Sequence, residues 1–215
     1  MNVHSERCDT LMLQSTETPA DARVAGILAA ARQAFAEKGF DGASMQDLAR
    51  AAGMSVGNFY RYFPSKAAIV QALIALDLEE MARDFEPVFA SDDPIATMRQ
   101  RVRIKLVEHQ CNHDGMLWAE ITATALRKPE IGIACGHMET TIADYLMQAF
   151  AAATGLSLEQ SRQRFAAHAA LIVMLVKSSA MMPQQDETLR NDLNTLILRI
   201  IDQTLDEVAA SGAKG

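Results

Sequence analysis

Residues 44–66 decide the fold of this chain and read SMQDLARAAGMSVGNFYRYFPSK. Ser44 and Ser55 are residues that favour helix N-caps, and each precedes a short stretch of helix-compatible sequence. Gly53 separates the two stretches, and Pro64 disfavours helical geometry in the residue before it. The pattern predicts two short helices, at about 45–52 and 56–63, joined by a tight turn. That arrangement is typical of a helix-turn-helix.

The second of these helices has a core side and an exposed side. Phe59 and Phe63 share a helix face at i, i+4 and can pack against Leu48, Ala49 and Ala52 of the first helix. The remaining residues are then on or near the exposed side, and they are Val56, Gly57, Asn58, Tyr60, Arg61 and Tyr62. A generic helical hairpin, with its aromatic residues in a core or a partner contact, is the alternative interpretation.

The exposed set has the chemistry of DNA recognition. Arg can read guanine, Asn can read adenine, and the Val side chain can contact a thymine methyl group in the major groove. Tyr and Ser hydroxyls can bind phosphates, and Gly57 lets the protein backbone approach the DNA backbone. Lys66 is at the start of the next helix, where its charge and the free backbone N–H groups can hold a phosphate.

The sequence around this motif predicts further helices. Residues 1–20 lack periodicity and are expected to be a disordered tail. A first helix begins near Asp21 and ends at Gly39, which places Phe40 against Phe35 as in a Schellman ending. A fourth helix follows Ser65 and continues to about residue 85, and Pro87 and the turn at 91–94 close it. The remaining helices are predicted at about 94–111, 115–127, 130–154, 158–181 and 186–209.

Composition supports the same fold class. The chain is 49% hydrophobic but only 6% aromatic, and its common apolar residues are helix formers. We therefore expect an all-α fold of about nine helices. It comprises a disordered tail at 1–20, a three-helix DNA-binding domain with the helix-turn-helix at 21–66, and a helical ligand-binding and dimerisation domain at 67–215.

The amino-terminal part of the chain resembles the tetracycline-repressor (TetR) family. The resemblance covers residues 22–70 and is carried by Ile27, Ala30, Ala31, Phe35, Gly39, Phe40, Ser44, Met45, Leu48, Ala49, Ala52, Gly53, Ser55, Gly57, Phe59, Tyr60, Tyr62, Phe63, Ser65 and Lys66. It implies a repressor-like homodimer on a palindromic operator, released when a small-molecule inducer binds the second domain. It places the DNA contacts at Ser44 or Met45, Ser55, Val56, Gly57, Asn58, Tyr60, Arg61, Tyr62 and Lys66.

The chain departs from that family's pattern at two places. Position 56 is often polar or basic in the family and is Val here, which leaves the base preference open. Lys66 is usually followed by an acidic residue and then a Leu near position 69, where this chain has Ala67, Ala68 and Ile69.

The last two predicted helices are apolar on every side, as in residues 171–176 (LIVMLV). One monomer core cannot easily cover both helices, whereas a two-fold four-helix interface would do so. The expected interface residues are Phe165, Ala169, Ile172, Val176, Leu193, Leu196, Ile197 and Ile200. A tight monomeric bundle is the alternative.

Ligand contacts are expected among the aromatic, Met and polar residues of the second domain. The candidates are Phe85, Phe89, Met98, Leu106, His109, Trp118, Ile121, Met138, Tyr145, Met174 and Lys177. Met side chains adapt to varied ligands, although the same pattern also fits plain core. Trp118 near Glu120 could favour a cationic aromatic compound.

A second hypothesis is a metal- or thiol-responsive regulator. It would use Cys111 and Cys135 with the nearby His109, His113 and His137, since thiolate and imidazole suit zinc or copper. The i, i+2 spacing does not share a helix face, so a buried Cys and surface His residues are the plainer interpretation. We predict no metal site and no cofactor.

Net charge and motifs exclude several classes. The chain carries −7 overall, but residues 21–66 have six Lys and Arg against four Asp and Glu, so its one basic block coincides with the motif. We expect a cytoplasmic protein with no membrane contact, because the chain lacks a signal peptide and an apolar run of about 18 residues. An all-α enzyme or a helical adaptor is the more distant alternative, and no catalytic motif supports an enzyme.

Overall fold

The computed structural model describes residues 19–111, 115–182 and 186–212, with the backbone alone at 19–20 and 109–111. Throughout those ranges the regular structure is helical, which confirms the all-α fold class. The helices are α1 (Pro19–Gly42), α2 (Met45–Ala51), α3 (Val56–Tyr62), α4 (Lys66–Phe89), α5 (Pro94–Cys111), α6 (Gly115–Ala125), α7 (Pro129–Thr154), α8 (Leu158–Met181) and α9 (Glu187–Gly212). The tail expected at 1–20 lies, as far as residue 18, outside the described residues.

The end of α1 differs from the prediction by one turn. Gly39 adopts φ 72°, as expected for a residue that interrupts a helix. The chain then makes another turn to Gly42, and Ala43 N–H donates to the Gly39 carbonyl at 3.1 Å. Phe35 and Phe40 stack across the kink with ring centroids 5.5 Å apart, so the expected aromatic contact forms.

Helix α4 passes through Pro87 and ends at Phe89, so Pro87 does not close it, whereas the predicted turn at 91–94 lies just beyond its end. A proline this close to a helix end removes one hydrogen bond with little helix left to disturb. Aromatic packing stabilises the last turn: Phe85 stacks on Phe89 at 5.8 Å and on Tyr145 of α7 at 5.2 Å. Ala90 N–H also donates to the Glu86 carbonyl at 3.1 Å.

The chain divides into two compact units, and the boundary along the sequence falls between Lys66 and Ala67. The first contains α1 to α3. The second has its core where α7 and α8 pack, with the buried rings of Phe150 and Phe165 edge to face at 5.9 Å. Ile172 of α8 and Ile197 and Ile201 of α9 belong to the same core.

Two glycines allow helix ends of the second unit to approach each other closely. A Cβ at Gly115 would lie 2.1 Å from the carbonyl oxygen of Ala180, and one at Gly212 would lie 2.8 Å from Cα of Thr154. Both obstacles are backbone atoms, so a side chain at either position would force the helices apart. The start of α6 therefore packs on the end of α8, and the end of α9 on the end of α7.

Four basic residues of α5 are ion-paired, and they are Arg99, Arg101, Arg103 and Lys105. Arg99 contacts two acids of α9, Asp202 at 3.0 Å and Asp206 at 2.5 Å, and Arg103 contacts Asp202 at 2.6 Å. On the opposite side, Arg101 and Lys105 both pair with Asp84 of α4. Residues two apart leave a helix in different directions, so α5 holds two neighbouring helices.

Helix α8 is the one described helix that is long and apolar enough to cross a membrane by length and composition alone. Its most apolar 18-residue window has a mean hydropathy of 1.3. In the structure it is a packed helix of the second unit, with Phe165, Ala169 and Ile172 in the core. Only 17% of that window is buried within the chain.

Candidate DNA interface

Helix α2 begins with a complete capping box. Asp47 N–H donates to Ser44 Oγ at 3.1 Å, and Ser44 N–H donates to the Asp47 carboxylate at 3.1 Å. These bonds satisfy backbone donors that a helix N-terminus leaves free. The prediction that Ser44 caps this helix is confirmed, and the capping fixes where α2 begins.

The turn after α2 is a Schellman motif built on Gly53. Gly53 has φ 63°, its N–H donates to the Arg50 carbonyl at 3.0 Å, and Met54 N–H donates to the Ala49 carbonyl at 2.9 Å. The left-handed conformation suits glycine and reverses the chain within two residues. Ser55 then caps α3, with its Oγ accepting from Asn58 N–H at 3.4 Å.

The aromatic anchor of α3 is buried as predicted. Phe59 is fully buried, and Phe63 packs beside it with ring centroids 6.2 Å apart. Leu48 and Ala49 of α2 are also fully buried. Two short helices therefore share one apolar seam, which sets the orientation of α3.

The opposite side of α3 faces solvent. All six residues predicted there are exposed, and they are Val56, Gly57, Asn58, Tyr60, Arg61 and Tyr62. Tyr60 and Tyr62 are 47% and 40% exposed, large values for aromatic side chains. Ser44 and Ser55 are exposed at the helix starts, whereas Met45 is half-buried. Eight of the ten predicted DNA contacts are therefore exposed, whereas Met45 and Lys66 are half-buried.

Gly57 lies on this surface with open space around it. A Cβ added at Gly57 meets no atom within 4 Å, and the residue is inside a helix, where glycine costs stability relative to alanine. Packing within the chain therefore does not require glycine here.

An ion pair that the sequence did not reveal joins α1 to α2. Lys38 Nζ lies 2.8 Å from the Asp47 carboxylate, and Arg50 approaches the same oxygen at 3.5 Å. The hydrogen bond from Lys38, followed by those from Ser44, holds the pKa of Asp47 well below its usual range. Lys38 precedes Asp47 by nine residues, a separation that no helical period indicates, so no local signal could have found it.

Lys66, for which a phosphate contact is predicted, has polar partners within the first unit. Its Nζ donates to the Phe40 carbonyl at 2.5 Å and lies 3.3 Å from the Asp41 carbonyl. It also lies 4.8 Å from the centroid of the Phe40 ring. The ammonium is thus engaged by the end of α1.

The predicted ligand residues of the second unit differ in their exposure to solvent. Phe85, Met98, Leu106 and Ile121 are buried in the core. Half-buried positions are Trp118, Met138, Tyr145 and Lys177, exposed ones are Phe89 and Met174, and the side chain of His109 lies outside the described residues. Phe85, Phe89 and Tyr145 do form a three-ring cluster, with ring centroids 5.2 to 6.1 Å apart. Lys177 Nζ pairs with Glu139 at 2.7 Å.

The predicted dimer residues divide into two groups. Phe165, Ala169, Ile172 and Ile197 are in the subunit's own core, so the structure does not leave them for a partner. Leu196 and Ile200 are 48% and 41% exposed, and Val176 and Leu193 are half-buried. The sequence pattern selected core and exposed residues alike, because α8 and α9 are apolar on every side.

The metal and thiol constellation is only partly described. Cys111 and His113 lie outside the described side chains. Cys135 is half-buried and His137 is exposed on α7, and burial raises the pKa of the Cys135 thiol, which disfavours the reactive thiolate. Within residues 21–108, 115–182 and 186–212, no three His, Cys, Asp or Glu side chains are placed to share a metal ion.

Comparison with known proteins agrees with this geometry. Residues 27–73 match the family described as "Bacterial regulatory proteins, tetR family". The HTH-type transcriptional regulator UidR of Escherichia coli K12 is 32% identical over 139 residues, which span 64% of this chain and 69% of that protein.

Two solved structures share the fold over nearly the whole chain. Salmonella enterica GusR superposes with a TM-score of 0.70 at 23% identity, covering 91% of this chain and all of that one. AibR, solved in complex with isovaleryl coenzyme A and operator DNA, superposes with a TM-score of 0.64 at 17% identity and covers 84% of this chain and 98% of that one.

The capped helix pair, its buried aromatic seam and its exposed polar face define a helix-turn-helix DNA-binding protein. Together with the identity to UidR over most of that protein's length, they place the chain in a known group. It belongs to the TetR family of bacterial transcriptional regulators.

Proposed function

We propose that this regulator is a repressor that binds a palindromic operator as a homodimer and releases it when a small molecule binds. In this proposal residues 21–66 are the DNA-binding domain, and residues 67–215 carry dimerisation and ligand binding. The exposed side of α3 is the observation that carries the proposal. It presents hydrogen-bonding and guanidinium groups outward from a helix that Phe59 anchors from behind.

The roles on α3 follow from side-chain chemistry. Arg61 and Asn58 can make paired hydrogen bonds with guanine and adenine edges, and Val56 can contact a thymine methyl group. The hydroxyls of Tyr60 and Tyr62, with those of Ser44 and Ser55, can bind phosphates and fix the register. Gly57 and Met45 would lie at the closest approach of protein and DNA.

The dimer is supported by the uncovered apolar sides of α8 and α9. Leu189, Leu196 and Ile200 follow one another on α9 at helical spacing and are 41% to 53% exposed, and Met174 of α8 is 56% exposed. The two helices contact each other, with His168 Nε2 3.3 Å from the Glu207 carboxylate. A two-fold axis through this surface would bury it against itself and place two copies of α3 on successive turns of DNA.

Ligand binding is assigned to the second unit. The cluster of Phe85, Phe89 and Tyr145 is half open to solvent at Phe89, and rings of this kind can hold an apolar or aromatic molecule. AibR, which shares the fold, was solved with both isovaleryl coenzyme A and operator DNA. We propose ligand control here, without enzymatic activity, in the cytoplasm and away from membranes.

Selection of DNA from a random duplex pool tests the proposal. The wild-type chain is expected to enrich a palindromic consensus, and Asn58→Ala and Arg61→Ala are expected to lose about a hundredfold in affinity for it, because each change removes two base contacts per dimer. Arg83→Ala removes an exposed cation of the second unit and should bind as the wild type does. No consensus, or normal affinity of both α3 variants, would overturn the proposal.

A further inference from the structure

Lys66 forms a polar contact that closes the first unit on itself. Its Nζ donates to the carbonyl of Phe40 at 2.5 Å and lies 3.3 Å from that of Asp41. The Phe40 ring, 4% exposed, lies beneath the ammonium with its centroid 4.8 Å away. Lys66 itself is half-buried. Two backbone acceptors and one ring thus surround the same charged group.

The chemistry of a helix end explains why an ammonium is stable there. Phe40 and Asp41 are in the last turn of α1, where carbonyl groups lack intrahelical partners and the helix dipole is negative. A Lys side chain satisfies those carbonyls and is attracted by the dipole and by the ring. The contact joins residues 26 apart in sequence, and the enclosed segment contains the whole of α2 and α3.

We propose that Lys66 is a positioning residue for DNA recognition. Its ammonium fastens the beginning of α4 to the end of α1 and thereby holds the α2–α3 pair in the orientation that presents Arg61 and Tyr62. It does so in place of a phosphate contact. The inference rests on the proposed function, since it takes α3 as the surface that reads DNA.

The salt dependence of binding separates the two roles of Lys66. A phosphate contact adds about 0.9 to the slope of log affinity against log salt concentration, so loss of one contact in each subunit lowers the slope by roughly 1.8. Lys66→Met removes the ammonium and keeps an apolar stem over Phe40. We expect about a tenfold loss of affinity for the selected duplex with the wild-type slope. Arg61→Gln is the control for a lost base contact, and it should weaken binding to the selected duplex.

Amide exchange of the DNA-free full-length protein gives a second readout. If Lys66 positions the helix pair, Lys66→Met should speed exchange in α2 and α3 about tenfold, whereas loss of a phosphate contact changes nothing in the absence of DNA. Lys66→Gln, equally uncharged but still a donor, should bind DNA more tightly than Lys66→Met. If Lys66→Met folds poorly, Lys66→Gln is compared with the wild type in its place, with the salt slope and the amide exchange as readouts.

The outcomes are distinct. Parallel salt slopes with faster exchange support the positioning role. A slope lowered by roughly 1.8, with unchanged exchange, overturns it. A wild-type chain that enriches no consensus duplex instead defeats the proposed function, and that result is obtained before any Lys66 variant is measured.

Discussion

Helices α3 and α9 both leave large side chains in solvent, but those side chains differ in kind. On α3 the exposed aromatic residues are Tyr60 and Tyr62, whose rings end in hydroxyls, and Arg61 lies between them. On α9 the exposed large residues are Leu189, Leu196 and Ile200, which carry only hydrocarbon. Exposure alone therefore does not identify a partner.

The difference between the two helices indicates what each surface can bind. DNA presents hydrogen-bonding edges and phosphates, so a surface that meets it needs donors at its outer atoms. Hydrocarbon on adjacent turns of one helix is stabilised only by removal from water, which a second apolar surface provides. From the chemistry of the exposed atoms we propose that α3 meets DNA and that α9 meets a second copy of the chain.

The largest expected effect comes from placing a charge on α9. Leu196→Glu would bury two unpaired carboxylates at a two-fold interface, each costing several kcal/mol. We expect the dimer dissociation constant to rise on the order of a thousandfold in sedimentation equilibrium. Leu126→Glu makes the same change at a residue that is 87% exposed in the turn after α6 and should leave the dimer intact. Equal behaviour of the two variants would argue against this interface.

The second prediction separates core from interface on α8. Phe165→Ala should lower the free energy of unfolding by roughly 3–5 kcal/mol, because it leaves a cavity beside Phe150. Measured by urea unfolding in the Leu196→Glu background, the value is free of dimer association. Met174→Ala, on the exposed side, should change it by less than about 0.5 kcal/mol. A small loss of unfolding free energy for Phe165→Ala would instead indicate that Phe165 lies at the dimer interface.

A smaller effect is expected at Gly57 of α3. Gly57→Ala should raise the free energy of unfolding by up to about 1 kcal/mol, since its Cβ meets nothing and alanine favours helix. The same Cβ should weaken DNA binding by obstructing close approach. Gly53→Ala is the contrasting variant, because φ 63° there strains any side chain. The free energy of unfolding and the DNA affinity are measured for both variants. Unimpaired DNA binding by Gly57→Ala would count against a place for Gly57 at the DNA interface.

The smallest effect concerns acid stability of the first unit. Asp47 has a depressed pKa in the folded chain, so its ionised form stabilises the fold fully above its ordinary pKa of 3.8, and this contribution is lost as pH falls below that value. In Asp47→Asn, amide protection of α2 relative to the wild type should therefore be lower near neutrality and converge in acid. Asp92→Asn in the second unit should show no such difference. If the difference in α2 protection between Asp47→Asn and the wild type did not depend on pH, the ionisation of Asp47 would not be its cause.

Local signals were sufficient to predict the helix-turn-helix. Ser44, Gly53 and Ser55 act through bonds to residues within five positions, so their pattern is readable from sequence. The contacts of Lys66 could not be predicted from the sequence. Its partners, Phe40 and Asp41, are brought close to it only after α2 and α3 have reversed the chain. The ion pairs of Arg99 with Asp202 and Asp206 were missed for the same reason.

The sequence by itself determined the helical class, the capped helix pair and the apolar helices of the second unit, because caps, turns and periodicity act over one or two turns of chain. Only the tertiary structure decided which apolar side each of α8 and α9 buries. Phe165 and Ile197 entered the core while Leu196 and Ile200 did not. Hydrophobicity has no direction, so a helix that is apolar all round does not specify its neighbour until the other helices pack.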